Sequence, residues 1–205
     1  MTQPTAGELA GDAPQWWRAY VLAERDQADE LRDLAAASDD HARRQLAWWL
    51  SERAGMDEAI EVIRPLADAG DDVAELWLAR WLADCDLLDE LRRRAAGGGY
   101  RARLELARRL AERNMLSELR ELAVAAGPRM RLLILRTARQ AGSPGMDIAR
   151  LCADLGDEDA RHGLIHWLAR TGHLDELQER AESGDDYARR WLAEALRQRY
   201  RQHGR

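Results

Sequence analysis

The chain has 205 residues, 46% of them hydrophobic, and carries a formal net charge of −6 with a sequence pI near 5.5. This acidic balance argues against a general nucleic-acid coat, which would show a basic excess, and no run approaches the roughly 18 apolar residues of a membrane span. Phenylalanine and lysine are absent, and Ala, Leu, Arg, Asp and Glu dominate, a composition typical of helix-rich proteins with few strand-forming residues.

The N-terminal segment, residues 1–13, has neither the basic region nor the apolar core of a signal peptide. We therefore predict an unstructured leader there. The two cysteines, Cys85 and Cys152, stand alone in helical patterns, without CxxC spacing or nearby histidines. This usage indicates a reduced, cytoplasmic compartment with two structural thiols.

Over most of its length the chain repeats one unit, seen most clearly in Gly70–Gly98, at an interval of about 28 residues. Two departures are local: an extra helical turn around Ile63–Leu66 and a two-residue insertion at Ser143-Pro144. A recurrence of this length indicates a repeat architecture. The breaks between units fall at Ser38, Gly70, Gly98, Ala126, Gly156 and Gly184.

Each unit contains a longer helix, termed the A helix, whose start is rich in aspartate, as at Asp71-Asp72 and Asp185-Asp186. Aspartate accepts hydrogen bonds from the free N–H groups there and favours the positive end of the helix dipole. When Ala42, Ala74, Ala102, Met130, Ala160 and Ala188 are counted as position zero, an apolar stripe recurs at plus four and plus eight. Plus four holds Leu46, Leu78, Leu106, Ile134, Leu164 and Leu192, and plus eight holds Leu50, Leu82, Leu110, Ala138, Leu168 and Leu196.

A shorter B helix follows each A helix and usually ends at a glycine that can adopt a left-handed conformation. A pair of helices this short cannot bury its apolar face alone, so neighbouring units must stack to form one continuous core. The B-helix stripe consists of Leu31 and Leu34, Leu91 and Ala95, Leu119 and Leu122, Ile148 and Leu151, and Leu177 and Ala181.

We predict an all-α fold: a right-handed α-solenoid of about six helix-turn-helix repeats plus a C-terminal capping helix, forming a single domain over residues 14–205. The last A helix is predicted from Tyr187 to about Gln202. Its outer side carries Arg197, Gln198, Arg201 and Gln202 and is typical of a polar end cap.

The A-helix pattern of a small residue, Leu-Ala and Trp-Leu, with the DEL and GD sequences that follow, resembles a shortened tetratricopeptide or Sel1-like repeat within the broad class that includes HEAT-like repeats. The Gly and Tyr signature positions of those families are missing, so no binding residue is transferred. The resemblance implies a scaffold or adaptor that holds peptides or partner proteins on a concave surface.

Six of the eight tryptophans fall at two equivalent A-helix positions, plus three (Trp17, Trp77, Trp191) and plus seven (Trp49, Trp81, Trp167). Position plus six, next to them on the helix, carries Arg80, Arg108, Arg136 and His166 in four of the units. If the A helices line an inner curve, indole and guanidinium groups form a ribbon that suits an acidic and apolar peptide. The candidate binding residues are Trp49, Trp77, Arg80, Trp81, Arg108, Arg136, His166 and Trp167.

The alternative interpretation is that these tryptophans fill gaps between stacked helices, because large aromatic side chains are mostly buried in proteins. The two tryptophans outside both columns, Trp16 and Trp48, are candidates for exposure. The sequence alone leaves open whether the tryptophan column is a groove or a core.

Two other sequence features are weaker indications of a metal site. The DDVAE sequence from Asp71 resembles the magnesium motif of isoprenoid enzymes, but we favour helix capping, because similar acidic pairs begin several A helices and no second metal motif appears. His162 and His166 have the spacing of two zinc ligands on one helix face, but without an HExxH pattern a solvated helix surface explains them as well. No catalytic residue, metal site or cofactor motif is predicted, and an enzymatic activity is not favoured.

The leading hypothesis is a non-enzymatic scaffold or adaptor that binds a protein or peptide segment on the A-helix surface. A second hypothesis is a HEAT-like DNA-binding or DNA-repair glycosylase-type protein, against which the acidic balance argues because phosphate neutralisation supplies much of DNA affinity. A third is a protein that binds an aromatic small molecule between its indoles.

Overall fold

The computed structural model describes residues 14–37, 40–53, 55–141 and 146–203, and every regular element within them is an α-helix. The predicted leader and the Ser143-Pro144 insertion lie outside the described residues. No helix in the described part of the chain has the length and apolar character needed to cross a membrane. The helices are α1 Gln15–Glu24, α2 Ala28–Ala36, α3 Asp40–Arg53, α4 Met56–Asp68, α5 Asp72–Asp84, α6 Leu88–Ala96, α7 Tyr100–Glu112, α8 Leu116–Ala125, α9 Pro128–Gln140, α10 Met146–Asp154, α11 Glu158–Thr171, α12 Leu174–Glu182 and α13 Asp186–His203.

Odd-numbered helices are the A helices and even-numbered helices are the B helices of the predicted pairs. Within each unit, helices pack against neighbours along the chain, as α3 does on α4 and α10 on α11, and some A helices also meet, as α1 does with α3 and α11 with α13. The six pairs and the final A helix confirm the all-α solenoid pattern in the described residues. The handedness of the stack stays a prediction.

The chain divides into two compact units, one up to Leu106 and one from Ala107, so that the division falls within α7. The prediction of one repeat domain over residues 14–205 stays a prediction. Unit 1 contains α1 to α6 and the start of α7, and unit 2 contains the rest of α7 and α8 to α13.

The predicted leucine stripes form the core of each unit. The plus-eight residues of the inner A helices are fully buried, at 0–1% exposure, whereas Leu196 of α13 is 49% exposed because no later described helix covers it. Each fully buried leucine contributes about 1.5–3 kcal/mol relative to an exposed one. The buried plus-eight residues are Leu50, Leu82, Leu110, Ala138 and Leu168.

Aspartates cap the starts of three A helices, as predicted. The Asp71 carboxylate accepts hydrogen bonds from the backbone N–H groups of Val73 and Ala74 at 3.0 and 2.9 Å. Asp157 caps α11 and Asp185 caps α13 in the same way. The DDVAE sequence therefore supplies the cap of α5, since its first aspartate satisfies N–H groups that have no partner within the helix.

The turns between helices use two kinds of left-handed residue. The turn from a B helix to the next A helix places a glycine at positive φ, such as Gly98 at +100°, where a side chain would be strained. Turns from an A helix to its B helix use either a glycine, such as Gly172 at +79°, or Asp86 at +61° and Asn114 at +55°, two residue types that tolerate this conformation. The predicted glycine ends of the B helices are confirmed at Gly70, Gly98, Gly156 and Gly184.

An arginine at position plus one of four A helices caps the end of the preceding B helix. In unit 1, the Arg103 Nε donates a hydrogen bond of 2.9 Å to the backbone oxygen of Ala95. The last carbonyls of a helix have no partner within it and lie at its negative end, so a guanidinium group stabilises them. The same bond joins Arg43 to Ala35, Arg131 to Ala123 and Arg189 to Ala181.

Candidate interaction surface on the A helices

Two of the predicted binding tryptophans, Trp49 and Trp81, are buried, with 8% of each side chain exposed. The Trp49 Nε1 donates a hydrogen bond of 2.9 Å to the Asp26 carboxylate. The Arg53 guanidinium lies 5.8 Å from the Trp49 ring centre and also pairs with Asp26. Trp49 thus anchors the left-handed turn at Asp26 and presents little surface to a ligand.

Trp77 is half-buried, and its ring centre lies 5.8 Å from that of Trp81. Arg80, between them in sequence, is 70% exposed and makes only a long ion pair of 3.9 Å with Asp84. The structure therefore brings Trp77 and Trp81 together, with Trp81 beneath, and leaves Arg80 reachable from solvent.

The remaining predicted residues lie in unit 2 and differ in exposure. Half-buried Arg108 pairs with Glu112 at 2.9 Å. Arg136 is exposed and forms no ion pair with any described residue. Half-buried Trp167 stacks on His173 of its own turn, with ring centres 4.7 Å apart. No ring contact or ion pair joins these residues to one another.

A ring cluster spans α11 and α13. The His166 ring meets the Trp191 ring edge-on at 4.8 Å, and the His162 ring lies 4.3 Å from Tyr187. Both histidines are exposed. Within the described residues no group of three His, Cys, Asp or Glu side chains could hold a metal ion. The structure therefore places both histidines against aromatic partners, and Tyr187 is a member that sequence reasoning missed.

A second ring cluster covers the start of α1. Trp17 meets Trp16 edge-on at 5.8 Å and stacks on Tyr20 at 5.7 Å. All three rings are at least 40% exposed, and Trp48 of α3 is 41% exposed. The predicted exposure of Trp16 and Trp48 is confirmed.

Exposed apolar side chains concentrate on one side of the A helices. Positions plus two, plus three and plus six point away from the buried stripe, and we term them the A outer surface. Large exposed apolar residues on a monomer often mark interaction sites when they cluster. On the A outer surface they are Trp16, Trp17, Tyr20, Trp48, Leu76, Leu132 and Leu133.

The B helices present ion pairs instead. In unit 1, Arg64 of α4 donates two hydrogen bonds of 3.1 Å to the Glu90 carboxylate of α6. Arg94 also bonds Glu90, at 3.1 Å, and reaches back to Asp68 at 2.8 Å. Burial raises the pKa of Glu90, but the hydrogen bonds from Arg64 and Arg94 outweigh it and hold the pKa below its ordinary value. The guanidinium and carboxylate groups of this cluster are therefore paired with one another.

Unit 2 contains the same arrangement. Arg150 of α10 bonds the Glu176 carboxylate of α12 at 2.8 Å, and Arg180 joins Glu176 to Asp154. Here too burial raises the pKa of the glutamate, and the arginine hydrogen bonds lower it further than burial raises it. A groove of about 830 Å³ runs beside this cluster. Its arginines already bind carboxylates, so they have little left to offer an anionic ligand.

Neither cysteine is set up as a nucleophile. Cys152 is fully buried, and its thiol donates to the backbone oxygen of Leu135 at 3.6 Å. Burial raises the pKa of Cys152 to about 11 and also raises the pKa of Cys85. Because the thiolate is the reactive form, the raised pKa lowers the reactivity of both thiols, and their structural role stays a prediction.

No family model, curated protein or solved structure shows significant similarity to this chain. The resemblance to tetratricopeptide, Sel1-like or HEAT-like repeats therefore stays at the level of a helix-pair repeat class.

Proposed function

We propose that the chain is a non-enzymatic interaction module that binds a protein or peptide segment on the A outer surface. The observation that supports this proposal most strongly is the segregation of side chains between the two kinds of helix. Both kinds of helix carry ion pairs, but large exposed apolar residues lie mostly on A helices, and Val124 is the only one on the described B helices. A binding surface of this kind gains from burying apolar area and from charges that are still free to pair.

Within each unit, contact with the partner falls to the outer members of the predicted ribbon, which are Trp77 and Arg80 in unit 1 and Arg136, His166 and Trp167 in unit 2. Arg80, Arg136 and His166 are exposed and can donate hydrogen bonds to carboxylates or backbone carbonyls. Trp77 and Trp167 offer partly exposed indole edges. The buried Trp49 and Trp81 support this surface from beneath by fixing the helices and turns that carry it.

The proposal is tested with a phage-displayed library of random 12-residue peptides panned on the immobilised chain. Enriched peptides are then titrated against wild type and the variant Trp48→Ser/Arg80→Ser by biolayer interferometry. We expect affinity to fall by roughly tenfold or more, because exposed aromatic and arginine side chains are typical binding hot spots.

The matched control is Arg120→Ser/Val124→Ser, which removes one exposed arginine and one exposed apolar residue from the B helix α8. It should leave peptide affinity unchanged. Both variants alter exposed positions, so their thermal melting should match that of wild type. The absence of enriched peptides, or equal loss of affinity in both variants, would contradict the proposal.

A further inference from the structure

We propose that the outer side of α9 binds an acidic, amphipathic segment of a partner protein. The inference rests on the proposed function and narrows it to one helix and one partner chemistry. The site consists of Arg129, Leu132, Leu133 and Arg136, termed here the α9 stripe. Three observations on unit 2 support it: the exposure of the leucines, the charge of the helix, and the absence of a covering side chain.

The spacing of the α9 stripe places its four residues on one side of the helix. They stand at i, i+3, i+4 and i+7, the spacing of neighbours on a helical surface. The opposite side is buried and consists of Ile134, Leu135 and Ala138. An A helix needs only its buried side to pack in the stack, so the second apolar pair on α9 has no role in the core of unit 2.

The two leucines of the stripe are unusual for their exposure. Leu132 is 52% exposed and Leu133 is 39% exposed, and among the described residues no other two consecutive leucines are both exposed. Side by side they form an apolar patch rather than a scattered surface residue. Such a patch is stabilised when another apolar surface covers it.

The charge on α9 is also unusual. It contains four arginines and is the one helix of the described residues without an Asp or Glu. Arg131 caps Ala123, and Arg139 pairs with Asp157 at 3.4 Å. The two arginines of the stripe, Arg129 and Arg136, are exposed and form no ion pair with any described residue. Two unneutralised positive charges therefore flank two exposed leucines.

The neighbouring helix leaves the stripe uncovered. Between α11 and α13, His166 at plus six is covered by Trp191 at plus three of the next A helix. The corresponding positions of α9 and α11 are Arg136 and Gly163. A Cβ added to Gly163 would meet no heavy atom within 4 Å. Position plus three of α11 therefore carries no side chain that could contact Arg136, whereas the same position of α13 carries Trp191.

Charge complementarity identifies the occupant. Seven residues of α-helix separate Arg129 from Arg136, about 10 Å along the axis, so two carboxylates two helical turns apart on a partner helix would match them. Guanidinium groups bind carboxylates through paired hydrogen bonds, and leucines at i+3 and i+4 of the partner would cover Leu132 and Leu133. A polyanion or an anionic membrane fits less well, because the net charge of −6 repels an extended negative surface.

The test uses a helical synthetic peptide with Glu at i and i+7 and Leu at i+3 and i+4, titrated by fluorescence anisotropy. The variant Arg129→Glu/Arg136→Glu should bind this peptide at least about tenfold more weakly than wild type, and should bind the Lys-for-Glu peptide more tightly than wild type does. Leu132→Ser/Leu133→Ser should also weaken binding. The matched control Arg120→Glu reverses an exposed arginine of α8 that has no described ion-pair partner, and should bind like wild type.

Three outcomes would overturn the proposal. One is equal affinity of wild type and the double arginine variant for the Glu peptide. In that case the proposed function would still stand if the binding of library peptides depends on Trp48 and Arg80. Another is binding to phosphatidylserine vesicles that requires Arg129 and Arg136, with no binding of the peptide. The third is self-association in sedimentation experiments that the same variant abolishes, which would make a second copy the occupant.

Discussion

Units 1 and 2 contain the same cluster of four charged residues at equivalent positions of their B helices. Arg64, Asp68, Glu90 and Arg94 of unit 1 correspond to Arg150, Asp154, Glu176 and Arg180 of unit 2. In both clusters the central glutamate accepts from two arginines, one of its own helix and one of the preceding B helix. Consecutive B helices are therefore joined by the same device in both units.

The groove beside each cluster differs between the units. In unit 2, Arg161 at the start of α11 pairs with Asp185 at 3.2 Å. In unit 1 the equivalent positions hold Glu75 and Gly99, and the Oε1 of Glu75 is buried without a hydrogen-bond partner. A Cβ at Gly99 would lie 3.2 Å from that oxygen, so the glutamate occupies the space that an aspartate would need. The cavity there is about 320 Å³, against about 830 Å³ in unit 2.

This comparison separates what the repeat requires from what each unit can vary. The B-helix cluster joins successive helix pairs and recurs unchanged in both units. The ion pair between Arg161 and Asp185 of unit 2 is absent from unit 1, where Glu75 and Gly99 occupy the equivalent positions. The leucines at equivalent positions of the two units, Leu91 and Leu177, are both fully buried. Variants at equivalent positions can therefore be compared between the units.

The largest effect is expected for the buried leucines below the clusters. Leu91→Ala in unit 1 and Leu177→Ala in unit 2 should each lower the free energy of unfolding by about 2–5 kcal/mol, because both side chains are fully buried and truncation leaves a cavity. Urea unfolding measures the loss. Hydrogen exchange should show the larger loss of protection in the unit that carries the substitution. Equal loss across both units would show that the two do not open separately.

A smaller effect is expected for the central glutamates. Glu90→Gln and Glu176→Gln should each lower the free energy of unfolding by about 1–3 kcal/mol, because each amide removes the charged acceptor that two arginines share. The folded-state pKa of each glutamate lies below its ordinary value, so the stabilisation is present at neutral pH and is lost as pH falls below about 4.

The pH dependence of urea unfolding checks this prediction. As pH falls below about 4, stability should fall less in the Gln variants than in wild type, since the titrating group has been removed. Glu179→Gln, an exposed position on α12, is the control and should behave like wild type. A Glu90→Gln variant with the full acid sensitivity of wild type would show that the cluster does not hold the carboxylate ionised.

The smallest effect is expected at the positions where the two units differ. There the change in the free energy of unfolding should be positive in unit 1 and negative in unit 2. Glu75→Gln should raise the free energy of unfolding by up to about 1 kcal/mol, because it removes a charge from a buried oxygen that has no partner. Arg161→Gln should lower it by about 0.5–1 kcal/mol, because it breaks a partly exposed ion pair. Thermal unfolding checks both predictions, since the melting temperature should lie above that of wild type for Glu75→Gln and below it for Arg161→Gln. A destabilising Glu75→Gln would show that the carboxylate has a partner in solution.

Much of the fold was predictable because helix periodicity is a local property. The leucines at plus four and plus eight, the aspartate caps and the glycine turns each follow from the residues of one helix and its ends. The exposure of Leu196 was not predictable from the stripe, since it depends on what packs beyond α13. The arginine caps at position plus one were missed because they join two helices across a turn.

The candidate site was predictable only in part. The A-helix columns were found from spacing, and so was the exposure of Trp48. Trp77 and Trp81 lie on the same helix, and which of them is reachable depends on the neighbouring helices that cover each ring, which spacing within one helix does not contain. The ring cluster of His162, His166, Tyr187 and Trp191 joins two helices, and no single helix carries its signal.

Residue order along the chain was enough to determine the secondary structure, the repeat and the identity of the core leucines, because hydrophobic periodicity acts within a few turns of helix. Helix packing alone decided which tryptophans are buried, which arginines cap a neighbour and which charges stay free. These outcomes depend on contacts between side chains far apart in sequence, such as Arg64 with Glu90, whose geometry is set only when the helices stack.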